Sequence, residues 1–152
     1  MAVKRTPEQE EVVKNRGGAL LVSAAAGSGK TRVLVERLMD YILQEGRNID
    51  EFLIITFTRA AAEELRARIA KEIAEALAAQ PDHAHLRQQT VRLYETQIST
   101  IHAFCTVLLR QWGHLLDIPG DFALCEDEEA QVLMTRTLNQ VLEARYEEID
   151  PT

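Results

Sequence analysis

The chain has 152 residues, 46% hydrophobic and 27% charged, with a formal net charge of -7; that is about one domain, long enough to bury a core. Seven glycines and four prolines leave no room for low complexity, and no apolar run approaches the roughly 18 residues of a membrane helix. The opening MAVKRTPEQEEVVK lacks the apolar core of a signal peptide, so a cytoplasmic location is expected.

In chain order, the first signal is RTPEQEEVV, where Thr6 fits a capping box for a helix starting at Pro7. The amide of Gln9 in the same segment can donate and accept along one edge, which suits the N6 and N7 atoms of adenine, and the two readings are compatible. Residues 19–23 form a short apolar run between Gly17-Gly18 and a glycine loop, the pattern of a buried strand. Residues 30–43 carry Val33, Leu34, Leu38, Tyr41 and Ile42 at helical spacing, with Gly46 where a helix stops. FLIITF, residues 52–57, reads as a second buried strand. Residues 59–79 read as a long alanine-rich helix with Leu65, Ile69, Ile73 and Leu77 on one stripe, ended near Pro81. A helix over 83–94, a short strand over 97–101 and a helix over 102–116 complete the pattern. This alternation predicts an α/β fold with right-handed crossovers and a parallel sheet covered on both faces.

The stretch SAAAGSGKT leaves the first strand and enters the first long helix. In open α/β sheets ligands bind at the carboxyl ends of the strands. Gly27, Ser28 and Gly29 let backbone N–H groups turn around an anion, and the helix beginning at Lys30 adds its positive end. The Lys30 ammonium then reaches the terminal phosphates of a nucleoside triphosphate, and the Thr31 hydroxyl holds Mg²⁺. Ala24 stands where G-x-x-x-x-G-K-T would place its first glycine. Two further segments, TFTRAAAEEL after the second strand and STIHAF after the third, lie at the same strand ends. Hydroxyls, aromatic or imidazole rings and helix N-termini are the equipment for holding a single nucleic-acid strand. The residues alone equally allow Phe57 and Phe104 as core and Thr58 and Thr100 as helix caps.

Charge is unevenly spread. Residues 126–152 hold 2 Lys+Arg against 8 Asp+Glu, a net of -6, leaving 15 against 16, a net of -1, for residues 1–125. The acidic stretch follows the turn-like DIPGD, and Glu126, Asp127, Glu128 and Glu129 read as a solvated helix start. Cys105 and Cys125 lack metal-site spacing and read as reduced core thiols.

Taken in order, TPEQ, SAAAGSGKT, TFTRAAAEEL and STIHAF resemble the amino-terminal part of UvrD/RecB-like superfamily 1 DNA helicases, and among them the AddA type of helicase-nuclease. The resemblance implies a P-loop NTPase (RecA-like) fold, with residues 1–118 as the first part of motor domain 1A and 119–152 as the start of helical subdomain 1B. It implies that Gln9, Ala26, Gly27, Ser28, Gly29, Lys30, Thr31 and Arg32 bind ATP, with Lys30 and Thr31 catalytic and Thr31 on Mg²⁺; motif I in this group tolerates Ala24. It also implies that Thr56, Phe57, Thr58, Arg59, Thr100, His102 and Phe104 contact DNA, with Phe57 in the stacking position. Arg59 departs from the more usual asparagine, and alanine often stands at the position of Arg32. The implied parent is an ATP-dependent 3′-to-5′ helicase in double-strand-break repair, acting on single- and double-stranded DNA in complex with a second subunit, with no membrane involved. The acidic pair that orients water, the second motor domain and any nuclease cluster have no counterpart in this sequence, so it reads as a truncated piece, inactive in hydrolysis alone. A stand-alone ATP-binding module that turns nothing over is the alternative; a P-loop kinase would leave TFTRAAAEEL and STIHAF without a role.

Overall fold

The computed structural model describes residues 5–25 and 27–149, in two compact units, Met1–Val107 and Leu108–Thr152. In the first unit α1 (Pro7–Lys14) begins on the expected capping box. Thr6 accepts from the Gln9 backbone N–H at 3.3 Å, and the Gln9 side chain accepts from the Thr6 N–H at 3.1 Å. The next helix, α2 (Lys30–Glu45), ends at Gly46, whose φ of 66° is the left-handed cap that glycine adopts without a Cβ penalty. A 3-10 turn, Ile49–Glu51, leads into β1 (Leu53–Thr56). Two helices, α3 (Arg59–Ala79) and α4 (Ala84–Arg92), cross over to β2 (Gln97–Thr100), which runs parallel to β1. The next helix is α5 (Ile101–Trp112).

Hydrophobic patterning explains the packing. Val35, Leu38, Met39 and Ile42 of α2 meet Ala62, Leu65, Ile69 and Ile73 of α3, with Leu77 partly buried beside them. Leu86 and Leu93 close the core from the α4 side, and Ile54 and Ile98, direct partners in the sheet, cover it from below. Of the two buried polar residues among those described, Thr96 and Gln89, Gln89 is wholly enclosed. Its side-chain oxygen accepts from the Ile49 N–H at 2.8 Å and its nitrogen donates to Asn48 Oδ1 at 3.0 Å, joining α4 to the 3-10 turn. Gln89→Leu leaves the buried Ile49 N–H without a partner, so unfolding in urea is expected at a lower midpoint, with a loss of about 1–3 kcal/mol.

Four expectations change. Residues 19–23 are not a strand: β1 and β2 pair with each other, and this run has no ladder partner among the described residues, so Leu21 is 93% exposed. Among the described residues the sheet is covered on one face: side chains alternate along a strand, and Leu53 and Ile55 lie on the exposed face. On α2 the buried stripe runs through Val35 and Met39, with Leu34 exposed. Cys105 and Cys125 are free and exposed rather than core thiols.

The second unit contains a 3-10 turn, Gly113–Leu116, where the helix expected over 102–116 tightens after Trp112, and α6 (Asp127–Ile149). Asp127, Glu128 and Glu129 fill the first turn of α6, opposite in sign to the helix dipole's positive end. Its apolar side chains, Leu133, Met134, Leu138 and Tyr146 among them, are exposed.

Candidate nucleotide and nucleic-acid sites

Four helices of the first unit start on a side chain that accepts from their first turn: Thr6 for α1, Thr58 for α3, His83 for α4 and Thr100 for α5. In contrast, α2 starts on Gly29, with no side-chain cap and no acidic residue in its first turn. Its first N–H groups are therefore free to meet an external anion. Gly27 and Gly29 carry φ of 78° and 86°, a conformation that costs other residues energy. The loop ahead of α2 thus holds its glycines where a phosphate cradle needs them.

Lys30 turns back over this loop, donating to the Ala24 carbonyl at 2.5 Å and the Ala25 carbonyl at 2.8 Å. Those carbonyls hold the ammonium above the loop, and phosphate oxygens are stronger partners for it. Thr31 is exposed on the same first turn, its hydroxyl available to a cation. Ala26 falls outside the described residues.

Gln9 reaches this loop from α1. Its Nε2 donates to the Ser28 carbonyl at 3.3 Å, and its Oε1 accepts from Arg32 Nη2 at 3.0 Å. A cavity of about 320 Å³ opens here, lined by Thr6, Gln9, Val22, Ser28, Lys30 and Val33. Its mix of apolar walls and a few convergent polar groups is that of a small-molecule site. The expected nucleotide residues Gln9, Ser28, Gly29, Lys30 and Arg32 are therefore gathered in one place.

Three residues in this network escaped the sequence reading. Glu36 lies 3.5 Å from Arg32 Nε and accepts from Arg5 Nε at 2.7 Å; Arg5 also pairs with Glu10 at 2.9 Å. Hydrogen bonds to Glu10 and then Glu36 raise the Arg5 pKa above its ordinary value. The i,i+4 spacing of Arg32 and Glu36 was the available signal.

The second cluster forms where the strands end. Thr56 and Thr100 are register partners at the carboxyl ends of β1 and β2, so TFTR and STIHAF are brought side by side. Thr58 accepts from the Ala61 N–H at 3.1 Å, Thr100 accepts from the Ala103 N–H at 3.3 Å, and Thr56 donates to the Thr58 carbonyl at 2.9 Å. Both Thr58 and Thr100 therefore cap helices, with hydroxyl protons left to donate. Arg66 secures the chain entering β2 through the Leu93 carbonyl and, at 2.9 Å, the Thr96 carbonyl. Phe57 is not core: it is 104% exposed. Arg59 and His102 are exposed as well, and Phe104 is half-buried. No hydrogen bond among the described residues joins this cluster to the one around Gln9 and Lys30.

The profile of the UvrD/REP helicase N-terminal domain matches residues 5–152. Three curated relatives all carry the name of the A-type subunit of an ATP-dependent helicase/nuclease. The protein from Lachnoclostridium phytofermentans is 46% identical over 145 residues, covering 94% of this chain and 10% of the relative. The protein from Oceanobacillus iheyensis is 42% identical over 151 residues, 98% of this chain and 12% of the relative. That from Staphylococcus saprophyticus is 41% identical over 146 residues, 96% and 12%. This chain thus spans about a tenth of the length of the relatives it matches. With a phosphate-ready loop opening α2 and a profile match over residues 5–152, the chain belongs to the UvrD/REP helicase N-terminal domain family.

Proposed function

We propose that this chain is the ATP- and single-stranded-DNA-binding opening of an ATP-dependent 3′-to-5′ DNA helicase of the AddA helicase/nuclease kind, acting in double-strand-break repair and recombination. Residues 1–118 supply the first part of its motor domain 1A and residues 119–152 the start of subdomain 1B. The observation that carries the reading is the start of α2: an uncapped helix N-terminus behind two glycines of positive φ, with Lys30 poised over the loop.

The residues present fit Mg-ATP. The free amides of α2 and the loop 27–29 hold phosphate oxygens, Lys30 exchanges two carbonyls for them, Thr31 takes Mg²⁺, and Gln9 and Arg32 meet the base. The bound nucleotide supplies the phosphoanhydride whose hydrolysis drives a motor. On the DNA side, Phe57 offers a face for a base, while Thr56, Thr58, Arg59, Thr100, His102 and the N-termini of α3 and α5 meet phosphates, with Phe104 beneath them. The protein works in the cytoplasm with a second subunit on single- and double-stranded DNA. Residues 1–152 alone bind nucleotide at best and hydrolyse none, because no acidic pair among the described residues follows a strand to orient water.

An ATPase assay on the full-length protein tests this: single-stranded DNA is expected to stimulate turnover, and no stimulation sinks the helicase reading. Because stacking and neutral donors outnumber cations in the DNA cluster, log affinity against log salt is expected to have a shallow slope, on the order of one to three released ions. A steep slope would place the DNA on a basic surface elsewhere.

A further inference from the structure

We infer that the cleft between α3 and α4 receives the last residue of a partner polypeptide, with its aromatic side chain inside the cleft and its terminal carboxylate on Arg66. The inference is independent of the nucleotide and DNA sites proposed above and adds a protein-docking surface to the chain.

A cavity of about 290 Å³ opens between the two helices. Ile73 and Leu93, both buried, line it together with the exposed Ala67, Ala70 and Tyr94. Two alanines one turn apart on α3 leave the space that longer side chains would fill, and Tyr94, 84% exposed, offers its ring at the edge. Ligand cavities run from roughly 300 to 1,000 Å³. This one therefore suits a single side chain rather than a nucleotide or a cofactor, and the Tyr94 ring favours an aromatic one.

Arg66 lines the same cavity. Its neighbours Arg68 and Arg92 pair with Glu64 and Asp50, but Arg66 has no carboxylate partner among the described residues. A guanidinium carries five N–H donors. Arg66 donates from Nη1 to the Leu93 carbonyl and from Nη2 to the Thr96 and Ile98 carbonyls, at 2.9 and 3.5 Å, which leaves the Nε–H and one Nη1 hydrogen for an outside acceptor. Those carbonyls also hold the group in place, so binding costs little further side-chain entropy. A carboxylate supplies both the missing charge and the missing acceptors. Thr90, also in the lining, donates to the Leu86 carbonyl at 3.4 Å and keeps acceptor capacity for a peptide N–H. Glu63, one turn before Arg66, lines the cavity as an exposed carboxylate without an ion-pair partner among the described residues. Its charge sets the direction: the terminal carboxylate lies at the Arg66 end, and a cationic residue ahead of it is favoured over an acidic one.

The test follows the fluorescence anisotropy of N-terminally labelled hexapeptides on the full-length protein. The peptide Gly-Ser-Gly-Ser-Lys-Phe with a free carboxylate is expected to bind, and its C-terminal amide to bind about ten- to a hundredfold more weakly, the worth of a hydrogen-bonded charge. Ala70→Leu fills the cleft from an exposed position with a good helix former; it is expected to weaken the peptide by at least about tenfold and to leave the unfolding midpoint in place. Asp for Lys in the peptide weakens binding by about threefold, and Glu63→Gln removes that difference. No binding of the free acid below about 1 mM, or equal binding of acid and amide, overturns the inference without recourse to any variant. An affinity unmoved in Ala70→Leu overturns it as well. Hydrocinnamate bound as tightly as the peptide overturns the docking of a chain end and makes the cleft a small-molecule site. A Lys-to-Asp change that acts alike in wild type and Glu63→Gln overturns the orientation.

Discussion

Lys30→Ala is expected to abolish Mg-ATP binding in a calorimetric titration, while the thermal unfolding midpoint stays within a few degrees of wild type. The two halves of this expectation come from different parts of the structure. Lys30 is exposed and its hydrogen bonds go to two loop carbonyls, and alanine is the best helix former, so the start of α2 survives the change. The site loses the cation that donates to the loop carbonyls. Charge-assisted hydrogen bonds contribute about 1.5–3 kcal/mol each, and a lysine on a terminal phosphate makes at least two, so affinity drops by at least about a hundredfold. Lys30→Arg should recover little, since a planar guanidinium cannot reproduce a compact ammonium. Unchanged affinity in Lys30→Ala would remove the phosphate assignment and leave the loop an ordinary glycine turn.

What could be read from the sequence was local. The bounds of α3 follow from an alanine-rich run with Thr58 ahead and Pro81 behind, and they fall where expected, at Arg59 and Ala79. Gly46 announced the end of α2, and the Thr6–Gln9 box the start of α1, because caps are satisfied within a few residues. What failed was non-local. An apolar run such as residues 19–23 states that a strand would be buried there, yet a strand exists only with a ladder partner, and the sequence does not name one. The same limit applied to Leu53, Ile55 and Cys105, whose burial depends on what covers them. Within the proposed nucleotide site the residue types were legible, but the Arg5–Glu36–Arg32 ion pairs required two separate segments in space, and only the i,i+4 pair left a trace.

Phe57→Ala is expected to weaken single-stranded DNA binding by about five- to a hundredfold without changing ATP affinity or stability. A large aromatic ring left wholly in water forgoes about 1.5–3 kcal/mol of burial, so its complete exposure at the end of β1 costs the chain nothing only if something covers it in function. Its neighbours indicate what. Thr58 and Thr100 each cap a helix and keep a hydroxyl proton, and β1 and β2 end in register beside it. That arrangement sets hydrogen-bond donors around a flat apolar face, which matches a nucleotide's phosphates and base. Stacking one base on an aromatic side chain contributes about 1–3 kcal/mol, which sets the expected range. The fold should not notice, because exposed side chains away from caps and core rarely change stability by more than about 0.5 kcal/mol. ATP affinity should not change either, since no hydrogen bond among the described residues joins Phe57 to the Gln9–Lys30 cluster. Fluorescence anisotropy with an oligonucleotide and calorimetry with Mg-ATP, on the same preparation of the full-length protein, separate the two effects. If DNA affinity holds, the exposed ring covers a protein surface instead, and the strand runs elsewhere.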